Sequence, residues 1–248
     1  MFETAINRYL EKHGFEAARL KAVLFDMDGV LFDSMLNHAS SWTRSMAQFG
    51  LHMTPEEAYL HEGRTGGSTI NLLIQRQWGR EATEEEWKRM YKVKSELFSQ
   101  CPEAPQMPGA AELLKKVKDD GLTPVLVTGS GQLTLLDRLN HNFPGIFQRG
   151  LMVTSFDVKH GKPDPEPYLM GLQKAGIQPW EGIVVENAPL GVQAGTAARI
   201  FTIAVNTGPL PGHVLLDAGA DLLFPSVKSL CDQWEEVRKA FSRESPDF

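Results

Sequence analysis

Hydrophobic positions fall along this chain in two rhythms. Short unbroken apolar runs occupy residues 21–26, 123–128, 151–154, 182–185, 201–205 and 221–224, each closed off by glycine, proline or polar residues. They are too short for helices, and continuous rather than alternating apolar character predicts strands buried on both faces. Between them, residues 110–119, 132–140, 165–175 and 190–198 carry helical spacing. Strands and helices in alternation predict an α/β fold, a Rossmann-like parallel sheet covered on both sides. Phe2, Ala5, Ile6 and Leu10 outline an amphipathic helix laid on the surface at the N-terminus. Residues 226–241 read as one closing helix, with Val227, Leu230, Cys231, Trp234 and Val237 on a single face.

No strand pattern is seen between residues 35 and 98. Thr54-Pro-Glu-Glu57 and Thr83-Glu-Glu-Glu86 each place a hydroxyl at a helix N-cap and a carboxylate three residues on, the capping-box arrangement. Trp87, Met90, Tyr91, Leu97 and Phe98 then continue at helical spacing. Four helices are therefore expected to interrupt the α/β unit just after its first strand, and the proline-bearing segment 99–108 reads as the return linker. The boundaries this sets are a catalytic core of residues 1–34 and 106–248 and an inserted α-helical cap domain of residues 35–105. Such an insert sits over the carboxyl ends of the strands, where open α/β sheets bind their ligands.

Composition narrows the function. The 248 residues, 42% hydrophobic and 23% charged, are ample for one large core or two smaller ones. A formal net charge of −6 opposes non-specific nucleic-acid binding, which runs on clustered Lys and Arg. Cys101 and Cys231 are too few for a disulfide framework or a zinc site. No apolar run approaches ~18 residues, and the opening stretch lacks the apolar core of a signal peptide. The expectation is a cytoplasmic protein with no membrane and no nucleic acid among its partners.

The chemistry is concentrated where strands end. In Val23-Leu-Phe-Asp26-Met-Asp28-Gly29-Val-Leu-Phe-Asp33-Ser34, two carboxylates stand two apart as a buried run stops, and Gly29 lets the chain turn. Carboxylates so placed can attack phosphorus, hold a divalent cation or pass a proton. The bland reading of Asp-x-Asp-Gly is a surface turn. Thr128-Gly129-Ser130-Gly131 follows the next strand; it lacks the third glycine of a dinucleotide fingerprint. Lys162, in Gly161-Lys-Pro-Asp-Pro165, would on its own be a solvated surface residue, and Glu186-Asn187 a loop or helix cap. What joins them is that each sits at the end of a separate predicted strand, and in a parallel sheet those ends meet at one edge.

In this order the segments resemble the four motifs of the haloacid dehalogenase superfamily in its phosphotransferase form, across residues 22–224, and the helical insert resembles the cap of the β-phosphoglucomutase-like branch. His38 and Trp42, on the first cap helix, match that branch too. The resemblance implies that Asp26 is the nucleophile and Asp28 the general acid and base. It implies that Thr128, Gly129, Ser130 and Lys162 bind the phosphoryl group, Thr128 and Lys162 sharing in catalysis. Magnesium as cofactor would be held by Asp26, Asp28 through its backbone carbonyl, and Glu186 or Asn187. Asn187 stands where the family pattern usually has Asp, so one negative charge is missing and weaker metal binding is expected. Asp33 is expected to cap the first cap helix.

The implied activity is magnesium-dependent hydrolysis of a small phosphorylated metabolite, a sugar phosphate, through an aspartyl-phosphate. A sugar-phosphate mutase is the nearest alternative. It needs a basic group in the cap, and Arg64 in Glu62-Gly-Arg64-Thr-Gly66-Gly-Ser68 offers one, although Gly66 aligns with the arginine of β-phosphoglucomutase. A non-catalytic descendant that binds a phosphorylated ligand is a further alternative. The dehalogenases of the superfamily lack the aspartate present here as Asp28. His38 is read equally as a structural or a substrate-positioning residue.

Overall fold

The computed structural model describes residues 2–131 and 135–241. Helix α1 (Phe2–His13) leads to β1 (Ala22–Phe25), and helices α2 (Met35–Gln48), α3 (Pro55–Leu60), α4 (Gly66–Trp78) and α5 (Glu84–Ser99) follow it. The chain then runs through α6 (Ala110–Asp119), β2 (Thr123–Val127), α7 (Leu135–Asn142), β3 (Met152–Val153), α8 (Glu166–Ala175), β4 (Gly182–Glu186) and α9 (Pro189–Ala197). It closes with β5 (Phe201–Val205), α10 (Gly212–Asp217), β6 (Leu222–Phe224), α11 (Val227–Asp232) and α12 (Trp234–Phe241).

Among the described residues the strands form one all-parallel sheet in the order β3-β2-β1-β4-β5-β6. Its middle strand β1 sets Leu24 beside Val125 of β2 and Val184 of β4. Chain order reverses at the β1–β4 boundary, which opens a crevice beyond the carboxyl ends of those strands. Both faces are covered. Val23, Phe25, Val185 and Ile203 pack with Ile6, Leu113, Leu230 and Trp234. Leu24, Val125 and Val184 pack with Tyr168, Leu172 and Ala194 on the other side. Neither face meets water, so the strands carry no polar alternation.

Helices α2 to α5 have a core of their own around Met46, Ile70, Leu73, Ile74 and Met90. Both capping boxes form. Thr54 Oγ1 accepts the Glu57 N–H at 3.2 Å while Glu57 accepts the Thr54 N–H at 2.8 Å; Thr83 and Glu86 repeat this at 3.2 and 2.9 Å. The two connections to the sheet run side by side, with the Asp33 N–H on the Pro105 carbonyl (2.9 Å) and the Met107 N–H on the Leu31 carbonyl (2.8 Å).

The structure departs from the sequence expectations at several ends. The helix expected over 132–140 is seen from Leu135 to Asn142; residues 132–134 lie outside the described residues. Of the strand expected over 151–154, only Met152 and Val153 pair, because a 3-10 turn occupies Arg149–Leu151. The closing helix is two helices broken at Gln233, where Trp234 turns inward and its Nε1 donates to Asp120 at 2.8 Å. Helix α1 is more than a surface helix: Tyr9, on its buried face, is 1% exposed, donates its hydroxyl to the Arg199 carbonyl at 2.9 Å, and meets Phe201 edge-on. Asp33 is exposed and does not cap α2; Ser34 is the N-cap residue, and its hydroxyl is turned away to Asp28. No helix among the described residues is long and apolar enough to cross a membrane.

Candidate active site

The strand ends bring the predicted motifs together. Asp26 follows β1 and continues its ladder by donating its N–H to the Val185 carbonyl at 3.0 Å. The chain then folds back sharply, with the Leu31 N–H on the Met27 carbonyl (2.8 Å) and the Gly29 N–H on the Phe32 carbonyl (2.7 Å). Gly29 has φ +83°, and a Cβ there would stand 2.0 Å from Asn187 Nδ2, so only glycine lets the Asp26–Asp28 turn lie against Asn187. Thr128 follows β2; its Oγ1 accepts the Ser130 N–H at 3.0 Å, which leaves the hydroxyl hydrogen to donate elsewhere. Asp26, Asp28, Thr128, Gly129, Ser130, His38 and Arg64 all line one cavity of about 370 Å³ between the sheet edge and the helices above it.

Lys162 is not a solvated lysine: it is 3% exposed. Its Nζ is ion-paired with Asp26 and donates to Glu186 Oε1 (2.6 Å) and the Val127 carbonyl (3.1 Å). Glu186 is fully buried. Tyr168 also donates to its Oε1 (2.7 Å), and Oε2 accepts the N–H groups of Asn187 (3.1 Å) and Ala188 (3.3 Å). A carboxylate offers about four lone-pair sites. On Glu186 each oxygen already accepts two protein donors, the Lys162 ammonium among them. Asn187, 6% exposed, keeps a buried Oδ1 with no partner.

The helices above the sheet contribute more than the sequence indicated. Ser34 Oγ donates to Asp28 Oδ1 at 2.5 Å, and His38 Nε2 stands 3.3 Å from the same oxygen. Lys94 Nζ lies 2.9 Å from His38 Nδ1, held over the Phe98 and Trp42 rings. Arg64 donates from Nη1 to Ser68 Oγ at 3.2 Å, and its Nε is buried without a partner. Sequence reasoning missed Lys94, Tyr168, Ser34 and Glu62. Lys94 had a signal, since it interrupts the apolar stripe of Met90, Tyr91, Leu97 and Phe98. Glu62 had none.

The sequence matches the family model of haloacid dehalogenase-like hydrolases over residues 23–205. The chain belongs to that family. Hexitol phosphatase A of Escherichia coli is 34% identical over 76% of this chain and 84% of its own length. A phosphorylated carbohydrates phosphatase of Thermotoga maritima is 30% identical over 81% of this chain and 92% of its own. A solved structure from Bacteroides vulgatus, provisionally named a β-phosphoglucomutase, is 62% identical over 98% of both chains with a TM-score of 0.95. This haloacid dehalogenase-like protein is accordingly an enzyme of the phosphohydrolase or phosphotransferase kind.

The electrostatics of the site separate its two aspartates. Burial pushes the Asp26 carboxyl well up, Lys162 opposes this, and Glu186 and Asp28 add to it. Burial would raise Asp28 too, but the charge and hydrogen bond of His38, the Ser34 hydroxyl and Lys94 bring it down to about 2. His38 is itself pushed below its ordinary range by burial and by Lys94, against the pull of Asp28. Burial lowers Lys94 to about 8, against the charge of Asp28. Lys162 stays above the ordinary lysine range despite its burial, because Asp26 and Glu186 flank it.

Proposed function

We propose that this enzyme is a magnesium-dependent phosphatase of a small phosphorylated metabolite, a sugar phosphate, working through an aspartyl-phosphate on Asp26. One observation carries the reading. The Asp26 and Asp28 carboxylates and the Thr128 hydroxyl open on one cavity, with the Lys162 ammonium fixed beside Asp26. The helices of residues 35–105 act as the cap that closes over it.

The residues present fit a divalent cation. Asn187 Oδ1 is buried without a donor, and among the described residues Lys162 is the one cation paired with the Asp26 carboxylate. Asp26, the Asp28 carbonyl and Asn187 Oδ1 would hold the ion, Glu186 being already saturated by protein donors. When bound it supplies positive charge that offsets the repulsion between Asp26 and a phosphate dianion.

The side chains do the rest. Asp26 attacks phosphorus in line, and the P–O bond to the sugar breaks. Thr128 donates its free hydroxyl hydrogen to a phosphoryl oxygen, and the Gly129 N–H holds another, the Thr128 and Ser130 N–H groups being given to Val153 and to Thr128 Oγ1. Lys162 keeps the Asp26 oxygen in place. Asp28 is held as a carboxylate before substrate enters; the incoming dianion raises its proton affinity, so that it takes up a proton from solvent and passes it to the leaving oxygen. It then takes a proton from the water that releases phosphate.

The test is phosphate release from a panel of sugar phosphates, with magnesium and with EDTA, for the wild type and Asp26→Asn. Turnover is expected to require the metal and Asp26, with an acid-trapped phosphoryl adduct on the wild type. Retention of more than a few per cent of the rate in Asp26→Asn would overturn the mechanism. A mutase reading draws on the 62% identical Bacteroides vulgatus protein and on Arg64 at the cavity. Interconversion of β-glucose 1-phosphate and glucose 6-phosphate without net phosphate release would favour it.

A further inference from the structure

We infer that Glu62 is a ligand of the divalent cation, carried into the core site by the cap, and that it supplies the negative charge missing at Asn187. The inference rests on the metal reading above. Glu62 lies in the turn between α3 and α4, 125 residues from Asn187 in sequence, yet its Oε2 accepts the Asn187 Nδ2–H at 3.3 Å. Its Oε1 is sealed from solvent and has no hydrogen-bond partner, as is Asn187 Oδ1. One amide N–H on a carboxylate with about four lone-pair sites leaves it far from satisfied.

The surroundings do not supply what is missing. Arg64, two residues on, donates from Nη1 to Ser68, and its buried Nε makes no bond to Glu62 or to any other group. Asp26, Glu186 and Asp28 all act on Glu62 with charge of its own sign, and Lys162 opposes them. Two adjacent buried oxygens without donors, among like charges, are satisfied by a hard cation, which binds through oxygen ligands and charge.

The approach of the turn is built into the backbone. Gly63 has φ +87°, and a Cβ there would stand 2.9 Å from Lys162 Cδ; the Gly63 carbonyl also lies against Gly129. Glycine therefore lets the cap rest on the lysine that holds the nucleophile, with Glu62 aimed past it at Asn187. A ligand donated by the cap links cation binding to cap closure, each favouring the other.

The test is isothermal titration of magnesium into the substrate-free full-length protein. Glu62→Gln, nearly isosteric, is expected to bind about tenfold more weakly, the order of effect of one ligand charge on a hard-cation site. Asn187→Asp is expected to gain little in the wild-type background, where it meets Glu62, and to restore affinity in the Glu62→Gln background. Melting in EDTA at or above the wild-type temperature confirms that the variants are folded. Wild-type affinity in Glu62→Gln, with Asp26→Asn weakened, overturns the role of Glu62 and leaves the metal reading standing. Unchanged affinity in Asp26→Asn as well overturns both.

Discussion

The Nζ of Lys94 lies 2.9 Å from Nδ1 of His38. An ammonium only donates, so Nδ1 is the acceptor, and the imidazole proton sits on Nε2, facing Asp28. A residue of α5 thus decides which face of a residue on α2 addresses the candidate acid–base group. In Lys94→Met the burial that lowers the His38 pKa remains while the neighbouring positive charge goes. The His38 pKa should therefore rise, measured by NMR titration of its ring protons. The rate should fall by about tenfold or more, part of the usual worth of a positioned acid–base group. A His38 pKa that stays put or falls would show that Lys94 does not govern the imidazole.

Arg64 lies at the cavity with an unpartnered Nε. If its task is to hold the part of the substrate remote from the reacting phosphate, Arg64→Ala should damage kcat/KM for a sugar phosphate far more than for a small aryl phosphate. Remote binding groups contribute to rate only where the substrate offers them a partner. Equal losses on both substrates would move Arg64 to a structural or directly catalytic role.

Tyr9 ties α1 to the sheet through Phe201 and the Arg199 carbonyl. Tyr9→Ala should cost about 3–5 kcal/mol, the range for deleting a large buried aromatic. Tyr9→Phe should cost about 1–2 kcal/mol, because it keeps the ring and strands a carbonyl. Urea denaturation measures both. A loss under about 1 kcal/mol in Tyr9→Ala would mean that α1 is only laid on the surface.

Asp221 gives a stability test with a definite sign. Its carboxylate accepts the Thr202 N–H at 2.8 Å, and burial raises its pKa from 3.8 to about 6. The folded state therefore binds this proton more tightly than the unfolded chain does. Stability is lost as pH rises from about 4 to 6 and stays lost above that. Asp221→Asn, which keeps an acceptor oxygen, should be more stable than wild type at pH 7–8, by at most about 3 kcal/mol at 1.4 kcal/mol per pKa unit. No difference is expected near pH 3.5. A variant less stable than wild type at pH 8 would contradict the buried-charge account.

Much of the site was legible because its parts are local. A buried run that stops at Asp26 shows both the strand and the carboxylate at its end, and the same holds for Thr128 and Glu186. Helices α3 and α5 of the insert were legible through Thr54–Glu57 and Thr83–Glu86, since a capping box is written within four residues. The break at Gln233 and the cap at Ser34 were not. Each depends on a distant partner, Asp120 for Trp234, or on a competing one, the Asp28 carboxylate that takes the Ser34 hydroxyl.

The sequence by itself determined the kind of sheet, the strand ends that carry Asp26, Thr128 and Glu186, and a helical insert above them; Lys162 comes from the long loop after β3 and not from the strand's end. Periodicity and caps are short-range, and parallel topology gathers strand ends without further information. Only the tertiary structure decided what the insert presents to those ends. It set Glu62 against Asn187 and Lys94 behind His38, and it saturated Glu186 with Lys162 and Tyr168. Such pairings follow from how one packed body rests on another. Helical spacing says which face of a helix is buried, and close packing alone selects the side chain that face will meet.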